Sequence, residues 1–261
     1  MKNKVVTIIV LILLGAILGG LCYGYYKKAT LNVKNPIVTM EVKDFGTIKL
    51  ELYPDKAPNT VKNFIKLANN GFYDGLKFHR VVKDFMIQGG DHEGTGSGDA
   101  ILDYLYSNGD KTKYAIEGEF VANGFEKNDL NLTQGVIAMA RNDYTQSSSA
   151  LVDESYNSAG TQFFIMTTNE YTGISGTYAG FGKVIEGMDV VTKIASVELK
   201  KNESEDSETD SNTSTETPAE DVVISSVKVE TYGIDYGNPK TIEPFNYMKW
   251  LYSMYGLEYK E

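Results

Sequence analysis

One arginine lies among large apolar side chains in the stretch Phe78–Asp91, which reads FHRVVKDFMIQGGD. Burying a guanidinium without a hydrogen-bond acceptor costs several kcal/mol, so this side chain needs either an acceptor or water. If the first half of the stretch is a strand, alternation places Arg80, Val82 and Asp84 on one face. The sequence therefore predicts a charged donor next to apolar residues on one surface.

The second half of the stretch adds Phe85, Met86 and Gln88 shortly after this arginine. A fork of N–H donors beside an apolar patch and an amide suits an apolar ligand that also carries a carbonyl. The alternative interpretation is an edge-strand charge that points to water, which is common for an arginine in an apolar run. The alternation pattern alone leaves both interpretations open.

The same stretch closely resembles the signature of the cyclophilin family of peptidyl-prolyl isomerases, approximately F-H-R-x-x-x-x-F-M-x-Q-G-G-D. Three later segments are similar to the family's pattern in the same order: Gly135–Arg141, Gly160–Ile165 and Phe181–Met188. The resemblance covers about Pro36 to Glu230. It implies a mainly β fold, a closed eight-stranded antiparallel barrel capped by two helices. It also implies cis–trans isomerisation of X–Pro bonds in proline-containing polypeptides.

The implied reaction requires no nucleophile, because no bond to the enzyme forms. Rotation about an X–Pro bond breaks amide resonance, and the uncatalysed barrier is about 18–20 kcal/mol. A fixed donor that stabilises the twisted amide lowers this barrier, and Arg80 matches the catalytic arginine of the family. The resemblance further implies nine substrate-binding residues: Phe85, Met86, Gln88, Ala140, Arg141, Gln162, Phe164, Ile174 and Tyr178.

Three positions depart from the family's pattern. Gly173 aligns with the tryptophan of cyclosporin-sensitive members, Tyr178 with a frequent pocket histidine, and Arg141 with a common asparagine. None of them is Arg80, so we expect these departures to change drug affinity and side-chain preference rather than activity.

Two other functions stay open beside the enzyme. The same barrel would serve as a binding module that holds proline-containing peptides with little turnover. A structural role in the cell envelope is a weaker possibility. Arg80 beside Phe85, Met86 and Gln88 favours the enzyme, since a pure binder does not need the charged donor.

The elements that position these residues are predicted from periodicity. Alternation over residues 36–52 predicts a β-hairpin, and helical spacing after Pro58 predicts a helix that ends near Gly71. A second helix is predicted from Gly187 to Leu199, and residues 222–229 read as a closing strand.

The N-terminal 28 residues are predicted to be a signal anchor or transmembrane segment. Val5 to Leu21 contains no charged residue, and Tyr23, Tyr25 and Tyr26 follow at the position of interfacial aromatics. We expect an uncleaved, single-pass anchor with the catalytic domain outside the cell membrane, where it assists the folding of secreted proteins. The alternative is a lipoprotein attached through Cys22.

The net charge of −10 is unevenly distributed. Residues 198–221 hold nine acidic residues and two lysines, so they are predicted to be a disordered acidic loop. The remainder is near neutral, which gives a nucleic-acid partner no electrostatic support. His79 and His92 form no recognisable metal-ligand set, and we expect no metal, no cofactor and a monomer.

The predicted organisation has four parts and one insertion. They are an anchor at 1–28, a tether at 29–35, the isomerase domain at 36–230 with the acidic loop 198–221, and an aromatic-rich extension at 231–261. The aromatic residues of the extension either pack on the barrel or meet a partner.

Overall fold

The structure is a computed structural model that describes residues 10–23, 34–169, 173–201 and 214–259. The chain divides into two units, Met1–Lys34 and Asn35–Glu261. In the first unit, helix α1 covers residues 10–23. Among the helices of the described ranges, none has both the length and the apolar character needed to cross a membrane. The predicted anchor at 1–28 lies partly outside these ranges.

Ten strands and five helices follow in the described part of the second unit. The strands are β1 Ile37–Val42, β2 Gly46–Leu52, β3 Arg80–Val82, β4 Met86–Gly89, β5 Val136–Met139, β6 Phe163–Met166, β7 Gly180–Glu186, β8 Leu199–Lys201, β9 Ser214–Pro218 and β10 Ile224–Glu230. The helices are α2 Pro58–Asn69, α3 Leu102–Tyr106, α4 Val152–Tyr156, α5 Met188–Ala195 and α6 Tyr247–Met254. The predicted hairpin, both predicted helices and the closing strand are thus present.

Eight of these strands form one antiparallel sheet in the order β10-β1-β2-β7-β5-β6-β4-β3. The end strands β3 and β10 form no ladder with each other in the described residues, and an isolated bridge between Lys77 and Val223 links the segments that precede them. The expectation of a closed barrel is therefore wrong. The physical reason is the shortness of β3, whose three residues pair with β4 alone.

The hairpin β3–β4 corrects a second expectation. The chain turns at Lys83–Phe85, and Asp84 has a φ of 56° in the left-handed region. Asp84 therefore lies in the turn and does not share a strand face with Arg80 and Val82. The cross-strand pairs are Arg80 with Gln88 and Val82 with Met86, which puts these four side chains on one face instead.

Strands β4, β5 and β6 carry apolar side chains on both faces. The face that we call the core face carries Ile87, Ile137, Phe163 and Ile165, which belong to the main buried cluster. Helices α2 and α5 add Phe64, Leu67, Val191 and Ile194 to the same cluster. The opposite side, the pocket face, carries a smaller cluster of Met86, Leu132, Val136, Ala138, Phe164 and Met166.

Helix α2 begins where the sequence offers a start signal and a distant carboxylate. Pro58 occupies its first turn, where a missing N–H costs nothing. The carboxylate of Glu119 accepts hydrogen bonds from the backbone N–H groups of Asn59 (2.9 Å) and Thr60 (2.8 Å). A negative charge at this end also complements the helix dipole, so Glu119 fixes the start of α2.

The acidic segment 198–221 is ordered at both ends. Strands β8 and β9 pair antiparallel, and the N–H of Ala219 donates to the carbonyl of Glu198 at 2.8 Å. Strand β9 lies beside β3. The prediction of a disordered loop does not describe these two ends, whereas residues 202–213 lie outside the described ranges.

The C-terminal extension packs on the domain through its aromatic side chains. The ring of Tyr247 stacks on that of Tyr144 at 5.7 Å, and Phe245 meets Tyr144 edge to face at 5.2 Å. Trp250 in α6 lies against Tyr247 at 5.6 Å. Of the two alternatives for these aromatic residues, packing on the domain is the one that the structure shows.

Candidate active site

Arg80 opens β3 at the edge of the sheet and is held by two acceptors. Its Nε donates to Oε2 of Glu216 at 2.5 Å, and its Nη1 donates to Oε1 of Gln88 at 3.2 Å. The side chains of Arg80 and Glu216 are 42% and 52% exposed. The guanidinium therefore keeps much of its hydration and has hydrogen-bond acceptors on two sides, so neither simple burial nor a free surface charge describes it.

A chain of side-chain amides extends from Arg80 along the pocket face. Nε2 of Gln88 donates to Oε1 of Gln162 at 2.9 Å, and Nε2 of Gln162 donates to the carbonyl of Gly96 at 3.1 Å. Each amide accepts on one side and donates on the other, so the chain holds Gln88 with its oxygen towards Arg80. The guanidinium is thereby pre-oriented before any ligand binds.

Next to this polar chain the pocket face forms a cavity of about 140 Å³. Pockets for drug-sized ligands are typically about 300–1,000 Å³, so this cavity is suited to a single small side chain. The ring of Phe164 meets that of Tyr178 edge to face at 5.4 Å. The residues that line the cavity are Arg80, Phe85, Met86, Gln88, Ala140, Arg141, Phe164, Ile174 and Tyr178.

Arg141 forms the second cationic edge of this cavity. Its Nε donates to the carbonyl of Thr177 at 3.1 Å. Its guanidinium carbon lies 4.4 Å from the ring centroid of Tyr178, 5.0 Å from that of Tyr156 and 6.0 Å from that of Phe120. Stacking on several rings favours a planar cation and limits its rotation, so Arg141 is a fixed wall of the pocket.

The loop after β4 supplies the carbonyl that accepts from the last amide of the chain, and Asp91 holds this loop in place. The buried carboxylate of Asp91 accepts from the backbone N–H groups of Glu93, Thr95 and Gly96, at 3.0, 3.0 and 2.6 Å. Burial raises the pKa of this carboxyl, but the backbone donors outweigh it and leave the pKa below its usual value. Asp91 therefore stays ionised and fixes the loop whose Gly96 carbonyl anchors Gln162.

Two further features of the motif have a structural reason. Gly90 has a φ of 85°, and a Cβ there would lie 2.6 Å from the carbonyl oxygen of Thr161, so no side chain fits. His79 is buried, and this burial lowers the pKa of its imidazole. The ring is neutral at neutral pH and adds no charge beside Arg80.

The structure brings nine of the ten predicted site residues around the cavity, and the tenth, Gln162, is bonded to Gln88. Gly173, aligned with the family's tryptophan, has open space around it.

Sequence reasoning missed Glu216. The available signal was its position between Thr215 and Thr217, since β-branched residues favour a strand within the acidic segment. Within the described ranges, no group of three or more His, Cys, Asp or Glu side chains is placed to hold a metal ion.

Comparison with known proteins shows the class to which this fold and site belong. A family model described as "Cyclophilin type peptidyl-prolyl cis-trans isomerase/CLD" matches residues 37–229. The chain belongs to this family, and it is a peptidyl-prolyl cis-trans isomerase.

Relatives of the chain occur in bacteria and eukaryotes. It is 38% identical over 185 residues to a peptidyl-prolyl cis-trans isomerase of Acinetobacter baylyi, covering 69% of this chain and 80% of that one. It is 36% identical over 169 residues to the peptidyl-prolyl cis-trans isomerase-like 1 of Homo sapiens, covering 64% and 84%. In fold it is similar to a cyclophilin type isomerase of Cryptosporidium parvum crystallised in the presence of the dipeptide Ala-Pro. That match has a TM-score of 0.56 at 24% identity and covers 74% of this chain and 98% of the other.

Proposed function

We propose that Arg80 is the catalytic residue and that it stabilises the twisted X–Pro amide. When the amide twists, the prolyl nitrogen loses its resonance with the carbonyl and regains a lone pair that accepts a hydrogen bond. A guanidinium offers several donors in a fixed plane, so it serves this nitrogen and a neighbouring carbonyl together. The observation that carries the proposal is the position of Arg80 at the edge of the apolar cavity, with Gln88 orienting it.

The cavity beside Arg80 is proposed to hold the proline ring of the substrate. Its apolar side chains Phe85, Met86, Phe164 and Ile174 match the character of a pyrrolidine ring, and its volume admits one such ring. The Cryptosporidium relative, crystallised in the presence of Ala-Pro, supports a proline-containing peptide as the ligand class. Burial of the ring fixes the proline while the acyl side of the bond rotates, so binding and catalysis use adjacent parts of one site.

Replacing Arg80 tests this role. Losing one preorganised donor costs about 2.7–4 kcal/mol, so Arg80→Ala should lower kcat/KM about 10²- to 10³-fold in a protease-coupled isomerisation assay. Arg80→Lys should recover only part of the loss, because one ammonium does not reproduce the planar fork. The circular dichroism spectrum serves as the folding control. A folded Arg80→Ala variant with near-normal turnover would contradict the proposal. Wild-type protein that binds proline-containing peptides without turnover would favour the binding module.

We further propose that the protein acts as a membrane-attached monomer on proteins that fold outside the cytoplasm. The support is the sequence alone: the uncharged run Val5 to Leu21, the tyrosines after it and the lysines at 27 and 28. Lipid attachment at Cys22 is the alternative. Fractionation of cells that express the full chain should place it in the membrane fraction, and Cys22→Ser separates the two forms of attachment. Full-length protein found soluble in the cytoplasm would contradict both.

A further inference from the structure

The acidic segment places a carboxylate on the residue proposed to be catalytic. Glu216 lies in the middle of β9, which runs beside the edge strand β3. Its Oε2 accepts from Nε of Arg80, and Arg80 donates from Nη1 to Gln88. Two of the guanidinium's nitrogens are thus engaged within the chain itself. A substrate that needs the same fork must share it with Glu216 or displace it.

Glu216 and the substrate compete for the guanidinium of Arg80. This competition favours Glu216, but only weakly. A carboxylate accepts a hydrogen bond from a guanidinium more strongly than a neutral peptide carbonyl does. Both partners are about half exposed, however, and exposed ion pairs contribute little because water and salt screen them. Glu216 therefore lowers the availability of Arg80 without blocking it, and removing the carboxylate should raise turnover about two- to fivefold.

We propose that Glu216 is a specificity-determining residue that favours substrates with a lysine or arginine next to the proline. A basic side chain of the substrate offers Glu216 a second cation, so the carboxylate leaves Arg80 at a smaller cost and the guanidinium turns to the amide. A neutral neighbour offers no such exchange, and an acidic neighbour is repelled by Glu216. This inference rests on the proposed role of Arg80, and it names a substrate class for the same site.

The test compares three matched peptides that differ only at the residue before the proline, which is Lys, Gln or Glu. A second series varies the residue after the proline in the same way. Rates are measured by NMR exchange without a protease, because a protease would itself discriminate between the peptides. The wild-type protein should prefer Lys over Gln by about two- to fivefold in at least one series, with Glu slowest, and added salt should reduce the preference.

Glu216→Gln should remove this preference by accelerating the Gln peptide about two- to fivefold. The matched control is Glu220→Gln, an exposed acid of the same segment, which should leave the preference as it is. A preference that survives Glu216→Gln would overturn the inference. So would a fall in kcat at constant KM in that variant, because Glu216 would then position Arg80 rather than compete with substrate.

The variants Arg80→Ala and Glu216→Gln together separate this inference from the proposal on which it rests. If Arg80→Ala keeps its turnover, the catalytic role fails and Glu216 has nothing to regulate. If Arg80→Ala loses turnover while Glu216→Gln changes no ratio, the catalytic role stands and only the inference about specificity fails.

Discussion

The two faces of the sheet are built from the same strands but are completed in different ways. On the core face, Phe163 and Ile165 are fully buried in the cluster to which helices α2 and α5 also contribute. On the pocket face, Phe164 is also nearly buried, yet a cavity remains beside it, with Arg80 and Arg141 at its edges. Apolar area alone therefore does not separate stability from function in this domain. What separates them is whether other elements of the chain cover the apolar side chains completely.

The adjacent phenylalanines of β6 give the sharpest test of this comparison. Phe163→Ala should lower the free energy of unfolding by about 3–5 kcal/mol, because it leaves a cavity in a fully packed cluster. Phe164→Ala should lower it less and should instead weaken substrate binding by at most about 2–3 kcal/mol, through lost apolar contact. Urea unfolding and kcat/KM, measured on both variants, make the comparison. Equal losses of stability with equal kcat/KM would break the distinction between the two faces.

Asp91 tests whether the pocket face depends on a buried support. Asp91→Asn should cost about 1–3 kcal/mol of stability, because a neutral amide does not accept from several backbone donors as a carboxylate does. It should also raise KM, since the Gly96 carbonyl that holds Gln162 would lose its fixed position.

The pH dependence identifies the contribution of Asp91 separately. Its pKa is lower in the folded protein than in the unfolded chain, where it is about 3.9. The stabilisation is therefore fully present above about pH 4 and is lost as the pH falls through the folded value. Urea unfolding at a series of pH values should show this loss in the wild type and less of it in Asp91→Asn. Parallel curves for the two proteins would show that the carboxylate gives no such support.

The smallest effect is expected at the edge of the pocket. Arg141→Lys keeps the charge but loses the planar stacking on Tyr178 and Tyr156, which is worth about 0.5–1 kcal/mol at an exposed site. KM should rise a few-fold while kcat stays the same. A fall in kcat at constant KM would assign Arg141 a part in the twisted state and would make the two arginines alike.

Which residues line the cavity was far more predictable from the sequence than the closure of the sheet. The motif around Arg80 identified Arg80, Phe85, Met86 and Gln88, which meet at one cavity because close spacing in the β3–β4 hairpin keeps them together. Strands β5 and β6 are different, since all of their residues are apolar and buried. No alternation marks which face is covered, and periodicity could not show where the cavity would lie.

Two of the misses, the closed barrel and Glu216, concern contacts between distant segments. Whether β3 and β10 join depends on the length of β3 and on where the chain turns at Asp84, and neither follows from composition. The contact of Glu216 with Arg80 joins residues that are 136 positions apart. The acidic composition around Glu216 predicted no structure at all. The strand that carries Glu216 is held by backbone pairing with β8, not by burial of its side chains.

The hydrogen bond between Ala219 and Glu198 has a consequence for how this chain tolerates change in length. It joins the two ends of the acidic segment, so these ends keep a fixed position on the domain whatever the length of the chain between them. The entropy of closing a chain segment grows with the logarithm of its length, and doubling the length costs only about 0.6 kcal/mol. We therefore expect that residues can be gained or lost between 202 and 213, or a whole reporter domain inserted there, at little cost to the fold. The insertion point would lie on the same strand pair that carries Glu216 to Arg80.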